Sequence, residues 1–267
     1  MTLRPMIAGL FLSAAIAAPA LAEERDYCPS RPGLGTTPCT ISPGKISVET
    51  ALVDWTRDDN SDAREDTILV GDTQIRFGVT DTVELQAGWT PFGHVRTRDK
   101  VAGGVDSANR VGDAYLGFKA NLVSPDGSGF SAAVSSFATL PVGRMPTGAG
   151  DWGAGLLAPI SYDLNDTLNL QFTPELDAAV DEDGNGRHLA YSGVAGLGIK
   201  LSEQLTTTLE VQLLRDRDPA EKTSQALAGV SLGYMVGDDL QLDCGINAGL
   251  NRQSPDTEMY LGISRRF

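Results

Sequence analysis

Thr257 to Phe267 reads T-E-M-Y-L-G-I-S-R-R-F. Counting back from Phe267, one set of alternate positions holds Arg265, Ile263, Leu261 and Met259. The other holds Arg266, Ser264, Gly262, Tyr260 and Glu258. One face is mostly apolar and the other polar or small, with a period of two, so this stretch is a strand. A chain that closes on such a strand and an aromatic residue, and that opens on an export signal, has the pattern of a bacterial outer-membrane β-barrel. Phe267 is then the expected signal to the barrel-assembly machinery.

The opposite end supplies the export signal. Arg4 stands in a short basic region, Met6 to Ala18 is apolar, and Ala20-Leu21-Ala22 is a small-x-small cleavage site. Residues 1–22 therefore read as a signal peptide, with the mature chain starting at Glu23. No Cys lies at the cleavage point, where Glu23 stands, so a lipoprotein is not expected. No other apolar run approaches the length of a transmembrane helix. The middling hydrophobicity and the 30 glycines fit a barrel whose lipid-facing and lumen-facing residues alternate.

The formal charge of −14 argues against nucleic acid as a partner, because phosphate binding needs a basic patch. It fits solvated loops and an acidic pore, with lipid and a small-molecule solute as the expected partners. Cys28 and Cys39 flank the Pro/Gly-rich run P-S-R-P-G-L-G-T-T-P. In an oxidising compartment they are expected to form a disulfide. Residues 23–44 then form a Cys-containing periplasmic or plug-like segment ahead of a barrel over 45–267. Cys244 lies in an alternating strand beside Leu242 and Ile246 and reads as a small lipid-facing residue.

From Lys45 onward, alternation predicts about twelve strands, near 45–56, 66–79, 83–97, 110–123, 129–142, 150–164, 168–180, 187–201, 205–216, 223–236, 239–251 and 257–267. The fourth sets Ala114, Leu116, Phe118, Ala120 and Leu122 against Asp113, Tyr115, Gly117, Lys119 and Asn121. Strand one is irregular: Trp55 falls on the polar parity, which predicts a bulge or an early end. Turns after even-numbered strands are tight (T-D-T, S-P-D-G-S, N-D-T, S-E-Q, G-D-D). The others are longer and charged, as at Arg57–Glu65, Arg98–Asn109 and Arg217–Lys222. That asymmetry and an even strand count put both termini on the periplasmic side of a single all-β, antiparallel, up-and-down transmembrane barrel. A soluble barrel would turn its polar face outward. Here Trp89, Trp152, Tyr162 and Tyr191 share the apolar parity near strand ends, where they would form interfacial girdles.

Catalytic patterns are weak. His94 and His188 are the two histidines, and neither has a Ser two residues on. Asp151, Asp181 and His188 could meet at the rim, but their spacing singles out no protease. Asp181 to Gly186, D-E-D-G-N-G, has part of a calcium loop without its closing Glu; an acidic hairpin turn explains it better. Gly148–Gly155 lacks the Gly-Lys-Ser/Thr of a phosphate loop. No enzyme, metal or cofactor is expected.

The inward parity instead gathers charge: Asp72, Arg76, Glu84, Asp113, Lys119, Glu175, Asp177, Glu210 and Asp243, with Glu49, Asp163, Lys200 and Glu258 besides. Acids outnumber bases. Such a lumen favours cations or neutral solutes where it is open, and its bases bridge acids where it is not.

G-D-A-Y-L-G-F-K-A-N-L (Gly112 to Leu122), L-P-V-G (Leu140 to Gly143), A-P-I-S-Y-D-L-N-D (Ala158 to Asp166), G-L-G-I-K-L-S-E-Q-L-T-T-T-L-E (Gly196 to Glu210) and the closing D-L-Q-L-D-C-G-I-N-A-G-L-N-R…Y-L-G-I-S-R-R-F resemble the outer-membrane transporter family associated with the meta-pathway of phenol degradation. The resemblance covers residues 45–267 and leaves the Cys28–Cys39 segment outside. It implies an integral barrel that helps small aromatic or other hydrophobic compounds cross passively. Asp113, Lys119 and Glu210 are the matching positions that would carry a family role. Arg265 departs from the apolar residue usual near a barrel's end. The alternative is a structural or adhesive barrel with a closed lumen.

Overall fold

The computed structural model describes residues 25–267; the signal-peptide reading of residues 1–22 lies outside them. Sixteen strand segments make twelve antiparallel barrel strands. They are β1 (Ile46–Asp59), β2 (Ala63–Val70), β3 (Asp72–Gly78), β4 (Val83–Trp89), β5 (Phe92–Asp99), β6 (Val105–Arg110), β7 (Ala114–Val123) and β8 (Phe130–Leu140). Then follow β9 (Gly153–Leu157), β10 (Ile160–Asp163), β11 (Leu168–Val180), β12 (Arg187–Lys200), β13 (Leu205–Asp216), β14 (Ser224–Met235), β15 (Leu240–Gly249) and β16 (Thr257–Arg266). Four barrel strands are interrupted: β2/β3 at Gly71, β4/β5 at Thr90-Pro91, β6/β7 at Val111-Gly112-Asp113 and β9/β10 at Ala158-Pro159. Proline brings no N–H to a ladder, and Gly71 takes a φ of +75°, so regular pairing stops there.

The barrel closes where β16 pairs with β1, from Ser47 opposite Arg266 to Arg57 opposite Thr257. The register shifts between Ala51 and Val53. Leu52 and Val53 are both exposed, and beyond them the parity inverts. Trp55 thereby joins the outward set opposite Met259. A bulge of one residue resolves the irregularity read in strand one.

Polarity is reversed relative to a water-soluble core. The largest fully buried side chains are Arg76, Lys119, Glu49 and Glu84. Leu85, Leu116, Phe118, Leu170, Phe172, Leu213, Leu242 and Ile246 are exposed. An apolar exterior around a charged interior is the arrangement a bilayer selects, and the antiparallel sheet closes on itself through the β1–β16 pairing. Trp89, Trp152, Tyr162 and Tyr191 are all exposed on this exterior, as is Tyr234. Cys244 is free and exposed. Arg265 points outward, its guanidinium 4.9 Å from the centroid of the Phe267 ring.

The five tight turns fall where expected, the charged loop 217–223 is close to its expected span, and the other two charged loops are shorter than expected. β1 runs to Asp59 and β2 starts at Ala63, so the connection is Asn60–Asp62 rather than Arg57–Glu65. Asn60 Oδ1 accepts the N–H groups of Asp62 and Ala63, an Asx turn. Likewise β5 extends to Asp99 and β6 begins at Val105, not near Asn109. Both faces of these hairpin ends are polar, with Asp66 bridged to Arg57 and Arg64. A strand wetted on both sides carries no alternation to read.

Candidate functional site

The interior holds more than the wall's side chains. Residues 25–44 lie against the inward faces of β1, β3, β4, β7, β11, β13 and β15. The segment starts at the tight-turn mouth, where Arg25 donates to the Asp81 carbonyl. It returns to that mouth at Thr40, whose N–H donates to Pro125 O and whose hydroxyl donates to Asp81 O. The disulfide Cys28–Cys39 closes the loop between.

What grips this loop is its backbone. Glu49 Oε2 accepts the N–H groups of Ser30 and Arg31 at 2.8 and 3.1 Å. Glu210 accepts those of Leu34 and Gly35 at 2.8 and 2.9 Å. Glu84 Oε2 accepts Ile41 N–H at 2.9 Å. Arg76 donates to the carbonyls of Cys28 (2.8 Å) and Cys39 (3.1 Å). Lys119 Nζ donates to Thr37 O at 2.9 Å, and Asn121 to Pro38 O at 2.9 Å. Gln241 donates to Arg31 O at 2.8 Å, while the Arg31 guanidinium pairs with Asp243 at 3.0 Å. Gly262 makes room for that guanidinium: a Cβ there would stand 2.5 Å from Arg31 Nε. An irregular segment has no ladder of its own, so wall charges must satisfy its donors and acceptors once it is buried.

The wall groups are also paired with one another. Arg76 bridges Glu49 at 2.9 Å and Glu84 at 2.8 Å, and Lys119 Nζ lies 3.6 Å from Glu84. Five of the sequence-expected lumen residues thus meet the N-terminal segment: Arg76, Glu84, Lys119, Glu210 and Asp243. Four stand elsewhere. Asp72 accepts from Thr90 Oγ1 at 2.6 Å. Asp113, in the break between β6 and β7, accepts the N–H groups of Gly143 and Ala149 and so ties down the 141–152 loop. Glu175 and Asp177 are neighbours on the inward face of β11. Parity alone did not reveal Arg31, which lies outside the alternating region.

Cavities remain around the segment. One of about 280 Å³ lies beside Thr36 and is lined by Gln74, Gln86, Tyr115, Phe137, Thr139 and Leu157. Tyr115 and Phe137 meet edge to face there, with centroids 6.5 Å apart. Another of about 280 Å³ lies on the far flank, beside Arg31, Asp54, Glu258 and Tyr260. At the tight-turn mouth a larger space of about 690 Å³ is bordered by Asp26, Tyr27, Lys200, Glu203 and Asp239. A polar cavity of about 340 Å³ shares Tyr27 with that mouth, Thr36 with the first cavity and Arg31 with the second.

Neither histidine meets a serine nucleophile. His94 Nδ1 is 2.7 Å from Asn109 Oδ1. His188 is surrounded by carboxylates: Nδ1 is 2.9 Å from Asp181 Oδ1 and 3.4 Å from Asp218 Oδ2, and Nε2 is 2.8 Å from Asp216 Oδ1. Asp151 instead pairs with Arg187 at 2.9 Å. The Ala220 N–H, more than burial opposes it, holds the Asp218 carboxyl below its usual range, with the Glu182 N–H and His188 adding to the effect. Asp181–Gly186 is a hairpin turn in which Gly184 and Gly186 take positive φ.

A closed twelve-strand barrel with an apolar belt and a charged interior is the fold of a bacterial outer-membrane barrel. The chain belongs to the family described as "Putative MetA-pathway of phenol degradation", whose model matches residues 29–267. The match begins ahead of the barrel and takes in most of the interior loop, which corrects the expectation that this segment lies outside the family. Among solved structures, an outer-membrane channel from Pseudomonas putida F1 superposes with a TM-score of 0.72 at 14% identity, covering 89% of this chain and 100% of that one. The translocator domain of the autotransporter NalP from Neisseria meningitidis gives 0.52 at 14% identity, covering 85% and 89%. The NanC porin gives 0.50 at 10% identity, covering 82% and 98%. At these identities the likeness is one of fold. Among curated proteins no significant sequence relative is found.

Proposed function

We propose that the protein is a passive outer-membrane channel for small molecules, narrowed by residues 25–44 acting as a fixed plug. The observation that carries this reading is the grip of Glu49, Arg76, Glu84, Lys119 and Glu210 on the backbone of that segment. Solutes pass around the plug, through the cavities that share Tyr27, Thr36 and Arg31. The ring edges of Tyr115 and Phe137 beside Gln74 and Gln86 suit a single-ring compound carrying a polar group, which agrees with the family's description. Acids left unengaged by the plug, Asp54, Glu175, Asp177 and Glu258, bias the path toward cations and neutral solutes. The contacts of both histidines favour transport over hydrolysis. Phe267, exposed beside the β1–β16 seam, is the assembly signal in this reading.

Conductance of the purified, refolded protein in a planar bilayer under a salt gradient tests it. A small, steady, cation-selective conductance that grows when residues 23–44 are deleted is the expected result. The wall-to-plug network also favours a second reading, a closed structural barrel. A folded protein that stays silent in the bilayer, passes no small solute in liposome swelling, and remains silent after the deletion would select that reading.

A further inference from the structure

The carboxylates around His188 come from separate parts of the chain. Asp181 opens the β11–β12 turn, His188 sits at the start of β12, and Asp216 and Asp218 bracket the end of β13. The imidazole is only 6% exposed. Asp181, His188 and Asp218 each offer a ligand atom, and the three atoms lie within 4.8 Å of one another. The separations of 2.9 and 3.4 Å from Nδ1 bracket the edge of a tetrahedron with bonds of about 2.0–2.1 Å, the length zinc makes to nitrogen and oxygen.

A second feature points the same way. His188 Nε2, the ring nitrogen not in contact with Asp181 and Asp218, has Asp216 Oδ1 2.8 Å from it. A histidine that binds metal through Nδ1 keeps its proton on Nε2, and a carboxylate beside that proton fixes the ring. Asp216 is in place for that task. Three carboxylates around one imidazole also leave the cluster negative in either protonation state of the ring. The nearest cation on the same strand, Arg187, is engaged with Asp151.

We propose that Asp181, His188 and Asp218 form a binding site for a first-row divalent cation, zinc by its donor set, with Asp216 as the residue that orients His188. One imidazole with carboxylates suits zinc better than calcium, which takes six to eight oxygens. Bound there, the ion joins the β11–β12 turn to the β13–β14 loop across β12, and so braces the mouth opposite the plug's entrance.

The test is calorimetric titration of zinc into untagged, detergent-purified, chelator-stripped protein, with calcium titrated in parallel. Folding of each variant is checked by its heat-modifiable mobility on a denaturing gel. The wild type and His94→Ala should take up one equivalent of zinc in preference to calcium. His188→Ala and Asp218→Asn should lose it, and Asp216→Asn should bind about 10–100-fold more weakly. X-ray absorption of the loaded protein should show light N/O ligands with the outer-shell scattering of a single imidazole. A wild type that takes up no zinc overturns the site, and so does zinc uptake unchanged by both His188→Ala and Asp218→Asn. If His188→Ala fails to fold, Asp218→Asn decides between the same two outcomes.

Discussion

Arg76 and Glu84 meet twice, Nε to Oε1 at 2.8 Å and Nη2 to Oε2 at 2.9 Å, and both side chains are wholly buried. They sit on neighbouring strands, β3 and β4, and each also holds the N-terminal loop. The same two side chains therefore tie the wall strands to each other and to the interior loop. Arg76→Met would leave Glu49 and Glu84 buried without their guanidinium and free the carbonyls of Cys28 and Cys39. Breaking a buried pair of this kind costs about 3–5 kcal/mol. A lower urea midpoint for the refolded barrel, together with a larger single-channel conductance, is expected. Unchanged values of both would separate Arg76 from either role.

Glu210 offers a gentler perturbation. Its two oxygens take two successive backbone N–H groups, and Glu210→Gln replaces one acceptor with a donor. Loss of a hydrogen bond to a charged group costs about 1.5–3 kcal/mol. The barrel should stay folded while the plug fluctuates, so current noise should rise with little change in the heat-modified gel shift. A quiet, wild-type trace would mean that the other contacts suffice.

Twelve strands, their parity and the turn asymmetry were legible because bilayer and water impose opposite demands on alternate residues of each wall strand. The bulge near Trp55 was legible for the same reason, as a break in that alternation. Where both faces are wet, as at Arg57–Asp66 and beyond Arg98, the signal vanishes and strand ends were read as loop. Parity also told which way Glu49, Arg76 and Glu210 point without telling what they touch. Their partners are backbone atoms of a Pro/Gly-rich segment that has no period of its own. Asp113 shows the complementary limit: it has the inward parity of its strand, yet sits in a break and serves a loop through the N–H groups of Gly143 and Ala149.

The disulfide closes the interior loop at its base, and the wall holds the same two residues independently through Arg76. Cys28→Ser/Cys39→Ser, or reduction of the wild type, should therefore loosen the loop without expelling it. In the chain-entropy view such short loops lose about 3 kcal/mol of constraint. A moderate rise in conductance under reductant, absent in the double serine variant, is the expected pattern. Full opening to the level of the 23–44 deletion would mean that the disulfide alone retains the plug.

The cavity beside Thr36 gives the sharpest test of how solutes pass, because two residues should move flux in opposite directions. Tyr115 fills the space next to Gly88, where a Cβ would stand 2.1 Å from the Tyr115 ring. Tyr115→Ala removes the ring that meets Phe137 and widens the cavity toward the wall. Gly88→Leu leaves no room for the ring at its present place, drives it into the cavity and so narrows it. Both positions face the interior, so neither touches the lipid belt. Liposome swelling with single-ring phenolic solutes should quicken several-fold with Tyr115→Ala and slow with Gly88→Leu. Arabinose should follow the same order if the two solutes share the path. If neither variant alters flux while deletion of residues 23–44 does, the route runs along the other flank, past Asp54 and Glu258, and the corresponding variants there become the ones that set the rate.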